Sequence, residues 1–537
     1  MSQNEPVDVL IIGGGASGAA IAWSLVDTKM RIVCLEQGDW MNPANYPSTT
    51  KDWETHQFSD FSASPNTRGL ETDYPVNDTN SPIKVANFNG VGGGTVLYAA
   101  HFPRLHPSDF CVRSLDGVAE DWPISYEELE PWYAENDRMM GVAGLAGDPA
   151  YPSKEVQMPP VPLGSLGERF ASGFNRLGWH WWPSDSAIAT EPYGGRDRCK
   201  NLGPCITGCA QGAKASTDVT YWPEAIRRGV ELRTRCRVRE ILLNEHGLAR
   251  GVVYIDEHGI AREQEAEMVI VACNGIGTPR MLLNSTSGKF PDGLANSSGL
   301  VGKNLMFHPY ASVRGVFDEP LQAHRGPVGC GLWSQQFYET DAARTFVRGY
   351  TMELTRGRGP VLTALEGLGT GRMQWGEGFH ERHAELFDKV AGFVMICEDL
   401  PEEHNRVTLD DELTDDDGIP APKITYQLSE NSRAMLDHAI EKGSEVLRAS
   451  GASEILSAAP MAGAGWHLMG TARMGADPAR SVVNGWGRCH DVNNLFIVDG
   501  SIFVTAGGVN PTSTIQALAL YIAEQIKTRL ADGTLFD

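Results

Sequence analysis

Three glycines and one carboxylate near the N-terminus have the types and spacing of a dinucleotide-binding site. Gly13, Gly15 and Gly18 fit the pattern G-x-G-x-x-G, between a buried apolar strand and a predicted helix. The first glycine of such a motif allows a tight turn, the second lets the backbone approach a pyrophosphate, and the third lets helix and strand pack closely. Glu36 ends the next predicted strand, 31–38, where its carboxylate can accept hydrogen bonds from a ribose. This order favours dinucleotide binding over a glycine turn that serves packing alone.

A group of cysteines has the spacing of a metal site. Cys199, Cys205 and Cys209 form a C-x5-C-x3-C array. Three thiolates this close can bind zinc or an iron–sulfur cluster. Buried structural thiols are the other interpretation, because reduced cysteines usually pack as small apolar side chains. We predict no metal site and keep an iron–sulfur cluster on these three thiols as the alternative.

A segment near the C-terminus also has the local pattern of a ligand site. The stretch 494–501 is predicted to form a strand that ends at Asp499 and Gly500, where backbone amides can meet a phosphate. It is followed by GGVNPTST, which leads into an amphipathic helix with Thr512 or Ser513 as the predicted N-cap. A helix N-terminus stabilises negative charge on a ligand.

The rest of the chain must bring these segments together. Residues 41–85 are polar and rich in turns, 87–104 form a second glycine-rich stretch, and 310–430 contain alternating segments typical of an antiparallel sheet. Helices are predicted over 126–140, 163–178, 222–229, 278–285 and 432–449, and strands over 231–243, 249–257 and 265–275.

The fold class that follows is mixed α/β. We expect a Rossmann-like domain assembled from separated segments, beside a substrate domain with a mainly antiparallel sheet. The predicted bounds are 1–309 for the first part of the dinucleotide domain, with the 41–85 wrap and the 199–214 cysteine segment, 310–430 for the substrate domain, and 431–537 for the return to the first domain.

Composition excludes several kinds of partner. The 45 Lys and Arg against 68 Asp and Glu give a formal net charge of −23, which argues against nucleic acid or an anionic membrane. No apolar run approaches the roughly 20 residues of a membrane span. The N-terminal MSQNEPVD has neither a basic nor a hydrophobic signal region, and the ten cysteines are mostly scattered. We expect a cytoplasmic protein, unless a partner subunit carries it out of the cell.

The motifs taken together resemble the glucose–methanol–choline (GMC) oxidoreductases, flavoproteins that oxidise alcohols. The matching segments span nearly the whole chain and are GGGASG with Glu36, NGVGGGT at 89–95, NGIGTPRMLL at 274–283, VGKNLMFHP at 301–309, HLMGTARMG at 467–475 and VDGSIFVTAGGVNPTSTIQALA at 498–519. The last of these is the most discriminating. Within the family the chain is most similar to the bacterial gluconate, glucose and pyranose-oxidising branches.

The resemblance implies an FAD-dependent oxidation of an alcohol, with a sugar, polyol or secondary alcohol as the expected substrate. His467 matches the family's base and Asn510 its partner, so that His467 would take the hydroxyl proton while Asn510 holds the oxygen and a hydride passes to flavin N5. From position alone, His467 would be a core histidine and Asn510 a turn former before Pro511; the matching context reverses that preference.

The resemblance also implies how FAD is held. In some relatives a histidine of the second glycine stretch bonds covalently to FAD; Leu97 aligns with it here, so we predict non-covalent FAD, with His101 as a minor alternative anchor. His308 is expected to position the crossing into the substrate domain. The implied cofactor-binding residues are Gly13, Gly15, Ala16, Ser17, Gly18, Glu36, Gln37, Gly93, Gly94, Thr95, Tyr98, Ala99, Val238, Asp499, Gly500, Asn510, Pro511 and Thr512.

Two other functions stay open at this point. In the bacterial glucose dehydrogenase branch a similar segment carries a three-iron cluster, and one ligand of that cluster is a cysteine directly after the first cysteine. In this chain that position is Lys200. Lys200 argues against a catalytic subunit of an electron-transfer complex, which is one alternative. The other is a redox-neutral lyase with structural FAD, because the family includes redox-neutral lyases. The electron acceptor is left open between oxygen, a quinone and a protein.

Overall fold

The structure is a computed structural model, which describes residues 5–536. Its helices are α1 (Ala16–Leu25), α2 (Pro65–Arg68), α3 (Val112–Asp116), α4 (Tyr126–Met140), α5 (Gly164–Leu177), α6 (Tyr221–Arg227), α7 (Asn274–Asn284), α8 (Pro360–Gly369), α9 (Phe379–Leu386), α10 (Glu430–Ala449) and α11 (Thr512–Asp532). Its strands are β1 (Val7–Ile12), β2 (Ile32–Leu35), β3 (Asn77–Asn80), β4 (Trp182–Pro183), β5 (Glu231–Arg233), β6 (Arg237–Leu243), β7 (Ala249–Ile255), β8 (Ala261–Val271), β9 (Tyr310–Val316), β10 (Leu332–Phe337), β11 (Tyr350–Thr355), β12 (Val390–Cys397), β13 (Arg406–Thr414), β14 (Pro420–Thr425), β15 (Glu454–Ala458) and β16 (Leu495–Ile497).

A seven-stranded sheet forms the base of the first domain. Its parallel part has the order β5-β2-β1-β8-β16. The strands β2 and β16, with residues 9–12 of β1 and 268–271 of β8, are apolar and buried, as expected where both faces of a sheet are covered. The strand β8 is long: its first half pairs antiparallel with β7, and its second half pairs in parallel with β1 and β16. Since β16 comes from the far end of the chain, the prediction of a Rossmann-like domain built from separated segments is confirmed.

A six-stranded sheet of order β15-β9-β12-β11-β10-β4 forms the second domain, and every pairing in it is antiparallel. This confirms the expected antiparallel sheet. Its edge strands β4 and β15 lie outside 310–430, and α10 packs on β9 and β12 together with α5. The sheet therefore draws on three separate parts of the chain, while the predicted domain boundaries at 310 and 430 stay a prediction.

The structure corrects two local predictions. The stretch 231–243 is not one strand, because the chain turns at Arg235, whose φ is 53°, so that β5 joins the parallel sheet and β6 starts a hairpin. The helix α11 begins at Thr512 with Pro511 in the N-cap position, so neither Thr512 nor Ser513 caps it. A proline fits there since it lacks the N–H that would otherwise be unpaired.

The segment 41–85 is irregular, as predicted. It consists of short helical turns, α2 and β3, which pairs in parallel with β14 in a small third sheet. In residues 5–536 no helix is both long and apolar enough to cross a membrane.

Candidate active site

The carboxyl ends of β1, β8 and β16 meet at one edge of the parallel sheet, which is where open α/β sheets bind ligands. The helix α1 starts here at Ala16. Its second residue, Ser17, is buried, and no side chain caps its first N–H groups. Gly13 has a φ of 103°, and a Cβ on Gly18 would lie 1.9 Å from the carbonyl oxygen of Gly13. Both positions therefore require glycine, and the free helix N-terminus can bind phosphate.

Glu36 follows β2 beside this turn. Its two carboxylate oxygens accept hydrogen bonds from the backbone N–H groups of Gly14, at 2.7 Å, and Gly38, at 2.8 Å. Burial raises the pKa of Glu36, while these bonds and one from the backbone of Gln37 oppose the rise. A carboxylate has about four acceptor sites, so one stays available for a ribose hydroxyl. Val238 lies close by, because the N–H of Cys236 donates to the Glu36 carbonyl at 2.9 Å.

The second glycine stretch packs directly on the first. A Cβ on Gly93 would lie 2.8 Å from the Cα of Gly15, whereas a Cβ on Gly94 would meet no atom within 4 Å. Thr95 donates its hydroxyl to the carbonyl of Gly92 at 2.5 Å and accepts from the N–H of Thr217 at 3.1 Å. The backbone of the two stretches is thus in contact, with open space above Gly94.

Tyr98 and Ala99 follow this turn and are tied to neighbouring loops. The Tyr98 hydroxyl donates to the carbonyl of Ala215, and the Ala99 carbonyl accepts from the thiol of Cys330 at 3.3 Å. The ammonium of Lys214 lies 5.2 Å from the centre of the Tyr98 ring. The hydroxyl of Tyr98 is therefore occupied within the protein, and only its ring can face a ligand.

Asp499 and Gly500 lie past the end of β16, as predicted. The Asp499 carboxylate accepts from the Thr278 hydroxyl at 2.6 Å and the N–H of Ser501 at 2.8 Å. The Gly500 carbonyl accepts from the N–H of Gly470 at 3.1 Å. This last bond joins the β16 end to the segment that carries His467.

His467 and His308 form a buried pair. Their Nδ1 atoms lie 2.8 Å apart, and Nε2 of His308 lies 2.6 Å from the carbonyl oxygen of Gly507. Burial lowers the pKa of His308 to about 4, and burial, followed by the charges of His308 and His101, lowers the pKa of His467 well below its usual value. Both imidazoles are therefore neutral at neutral pH. The expectation that His308 positions the crossing into the substrate domain stays a prediction; the structure adds that its ring contacts the ring of His467.

The hydrogen-bond network assigns the protons of this pair. A carbonyl oxygen only accepts, so the His308 proton is on Nε2 and its Nδ1 is an acceptor. His467 must then donate from Nδ1, which leaves a lone pair on its own Nε2. An imidazole in this state is ready to accept a proton.

Asn510 and two residues that the sequence did not single out as substrate groups complete the site. The Asn510 side chain hydrogen-bonds to Glu353, and its Oδ1 has no partner among residues 5–536. Glu353 Oε2 lies 3.3 Å from Nε2 of His101, and both side chains are buried. Burial raises the pKa of Glu353 well above its usual value and lowers the pKa of His101 to about 4. The sequence offered one indication that Glu353 belongs to the site: it is the single charged residue of the strand β11.

Pro511 and Thr512 continue from Asn510 into α11. The helix is 21 residues long and no side chain caps its first turn. Its N-terminus thus lies directly beside Asn510, where it favours negative charge.

The cysteine segment forms no metal site in the described part of the chain. There, no group of three or more His, Cys, Asp or Glu side chains is arranged to hold an ion. The Sγ atom of Cys209 accepts from the N–H of Lys214 at 3.5 Å, and the Cys205 carbonyl accepts from its ammonium at 2.7 Å. Cys199 is half-buried and bonds locally to Asn201.

Comparison with known proteins places this arrangement in a family. Residues 7–310 and 401–519 match the family models described as GMC oxidoreductase. The chain belongs to the GMC oxidoreductases. It is an oxidoreductase that acts on CH–OH groups. It is 42% identical to a 2-methyl-1,2-propanediol dehydrogenase from Mycolicibacterium austroafricanum, over 98% of this chain and 96% of that one. It is 30% identical to the fructose dehydrogenase large subunit of Gluconobacter japonicus, over 99% and 100%.

The fold of this GMC oxidoreductase is also that of a solved structure. A pyridoxine 4-oxidase from Mesorbium loti superposes with a TM-score of 0.66, over 97% of this chain and 99% of that one, at 17% identity. GMC oxidoreductases are generally FAD-binding flavoproteins. The residues present here fit such a group, because a glycine cradle, an uncapped helix N-terminus and open space above Gly94 lie at one edge of the sheet.

Proposed function

We propose that this chain oxidises a sugar, polyol or other alcohol with non-covalently bound FAD, and that His467 is the base. The observation that carries the proposal is the hydrogen-bond network of His308, which leaves the lone pair of His467 on Nε2. A base must be unprotonated at working pH, and the lowered pKa of His467 meets this requirement. General-base help of this kind is worth about 10²–10⁴ in rate.

Asn510 holds the substrate oxygen in this proposal. Its side chain hydrogen-bonds to Glu353, which restrains the amide before the substrate arrives. The N-terminus of α11 next to it stabilises negative charge that develops as His467 takes the hydroxyl proton. His467 and Asn510 together deprotonate the alcohol and hold its oxygen.

The cofactor is held by the edge of the parallel sheet. The N-terminus of α1, with Gly13, Gly15 and Gly18, binds the pyrophosphate, and Glu36 accepts from the adenosine ribose. Held by these residues, FAD would supply the acceptor for a hydride from the carbinol carbon. The absence of a histidine at Leu97 and the Glu353 contact of His101 both support a non-covalent cofactor.

The test is an anaerobic titration of the purified protein with a panel of sugars, diols and simple alcohols. We expect flavin absorbance that at least one alcohol class bleaches, and loss of bleaching in His467→Ala with flavin still bound. His467→Ala is compared with Trp466→Phe, which changes the neighbouring side chain, 44% exposed, and removes its hydrogen bond to the Tyr310 hydroxyl. A flavin that no alcohol reduces would contradict the proposal and favour the redox-neutral alternative.

A second candidate is a catalytic subunit that passes electrons to a protein partner. One relative is named as the large subunit of a dehydrogenase, and it matches over the full length of both chains. Purification from the native cell under mild conditions tests this: a partner that co-elutes and accelerates flavin reoxidation supports it, and full turnover of the isolated chain with a small acceptor opposes it.

A further inference from the structure

A buried cation lies beside the second glycine stretch and takes no part in the proposed catalysis. Lys214 is 2% exposed, and its Nζ donates to the carbonyl oxygens of Val96 at 2.7 Å, Tyr98 at 3.0 Å and Cys205 at 2.7 Å. A carbonyl oxygen only accepts, so each bond uses one N–H of the lysine. An amine with three N–H groups is an ammonium ion. The hydrogen bonds therefore require that Lys214 is positively charged.

The neighbours of Lys214 leave this charge largely uncompensated. All three of its hydrogen bonds go to uncharged carbonyl groups, and Asp218, whose charge also acts on it, accepts none of them. Burial raises the pKa of the Cys205 thiol, so this neighbour is uncharged at pH 7. A buried lysine without a carboxylate partner is rare, because burial removes the hydration of its charge. Its presence indicates that a ligand brings negative charge to this place.

The segment 93–101 indicates where that ligand lies. One end of the segment packs on Gly15 at the first glycine turn, where a Cβ on Gly93 would be 2.8 Å from the Cα of Gly15. At the other end His101 contacts Glu353, which hydrogen-bonds to Asn510. A cofactor that is held at the glycine turn and reacts beside Asn510 must therefore lie along this segment.

Lys214 holds the middle of the same segment. It binds the carbonyls on both sides of Leu97, the position that aligns with the covalent anchor of some relatives. Gly94, Tyr98 and Ala99 are the residues of 93–101 that are not buried, so the open side of the segment is at these positions. The ammonium thus lies behind the part of the segment that faces open space.

We propose that Lys214 is a positive charge placed beside the flavin ring, where it stabilises the negative charge that the ring gains on reduction and so raises the reduction potential of FAD. This inference rests on the proposed function. In that reaction the carbinol carbon gives a hydride, which is two electrons and one proton, to the flavin, and the hydroxyl proton goes to His467. A ring that was neutral therefore gains one negative charge. Lys214 touches neither the substrate nor the reacting atoms and acts through its charge.

The structure sets the size of the effect. Nζ of Lys214 lies 5.2 Å from the centre of the Tyr98 ring, and an atom packed on the far side of this ring would be about 9 Å from the charge. With an effective dielectric constant of about 20, a unit charge at that distance shifts an equilibrium between a neutral and an anionic group about 20-fold.

The first experiment measures the reduction potential of FAD in the purified holoenzyme, by equilibration with a dye of known potential. Oxidised and reduced FAD carry the same pyrophosphate charge, so the potential reports the charge on the ring alone. Lys214→Gln, which keeps N–H donors but no charge, should lower the potential by about 40 mV, which is about 20-fold for a two-electron couple. Lys214→Arg, which keeps the charge, should stay close to the wild type.

Further variants separate charge from packing. Lys200→Gln removes an exposed charge from the same cysteine segment and is the matched control, because water and salt screen that charge. Cys205→Asp places a carboxylate beside the ammonium without changing the lysine, and it should lower the potential, whereas Cys205→Asn should not. The two Cys205 variants decide the question if Lys214→Gln does not fold.

An unchanged potential in Lys214→Gln and in Cys205→Asp overturns the proposal. It is also overturned if the potential does not follow the charge, so that Lys214→Arg equals Lys214→Gln and Cys205→Asp equals Cys205→Asn. In that case Lys214 only fastens the backbone at 96–98.

The dye measurement needs bound FAD but no alcohol, so it separates this inference from the proposed function. If no alcohol reduces the flavin but the potential depends on the charge of Lys214, the proposed function fails and this inference stands. If alcohols reduce the flavin and the potential is the same in all variants, this inference fails alone. A protein that binds no FAD contradicts both.

Discussion

Replacing His308 tests whether the proton assignment of the histidine pair governs the reaction. His308→Leu removes two buried hydrogen bonds, of 2.8 Å to His467 and 2.6 Å to the carbonyl of Gly507. His467 is then free to carry its proton on Nε2, where it cannot act as a base. The expected loss in the rate of flavin reduction lies between about 10-fold, equivalent to one hydrogen bond, and about 10⁴-fold, the whole of general-base catalysis.

The assay is stopped-flow reduction of the flavin by saturating alcohol without oxygen, from pH 5 to pH 9. Burial is the largest cause of the lowered pKa of His467 and is unchanged in His308→Leu, so the acidic limb of the profile should keep its place. The lower rate of flavin reduction should persist on the alkaline plateau, because the balance between the two neutral tautomers of His467 does not change with pH. His308→Gln, which can donate to Gly507 and accept from His467, should recover most of the rate. A flavin-loaded His308→Leu enzyme with the wild-type plateau rate would refute the reasoning.

Three further outcomes are expected. Gly18→Ala should lower the melting temperature, because its Cβ would lie 1.9 Å from the carbonyl oxygen of Gly13. Gly94→Ala, whose Cβ would meet no atom within 4 Å, should melt like the wild type but bind FAD more weakly. A Gly94→Ala protein with wild-type FAD affinity would contradict the proposed FAD site beside the two glycine stretches. Acid precipitation should release the whole flavin into the supernatant, and yellow pellets would contradict non-covalent binding. Wild-type kcat/KM should stay level from pH 8 down to pH 6, because the lowered pKa of His467 keeps the base unprotonated there, and a fall near pH 6.5 would contradict that shift.

The parts of the fold that local sequence determines were predictable. The turn between β1 and α1 needs glycine at fixed positions, so Gly13 and Gly18 predict it. The antiparallel sheet was predicted from alternation within 310–430, but its edge strands β4 and β15 were not, since short strands acquire their partners only in the folded chain. The predicted N-cap of α11, Thr512 or Ser513, was wrong. The preference for Ser and Thr at an N-cap does not apply here, because Pro511 occupies that position.

The site was harder to predict, because its side chains come from distant parts of the chain. Asn510 and His467 carry a motif, whereas Glu353 lies alone on a strand and reaches Asn510 only through the packing of the two sheets. His308 was expected to position the crossing into the substrate domain, and nothing in the local sequence indicates that its ring meets that of His467, 159 residues later.

The loop 505–510, which carries Asn510, is held by residues of both domains. The N–H of Gly508 donates to the Tyr338 hydroxyl at 3.0 Å, and that hydroxyl donates to Asp109 at 2.7 Å. Arg348 pairs with both Asp109 and Glu398, all of them buried. Removing one partner of a buried pair costs about 3–5 kcal/mol, so this network holds the loop firmly. The carbonyl of Gly507, which accepts from His308, belongs to the same loop, so this network also sets the geometry of the histidine pair.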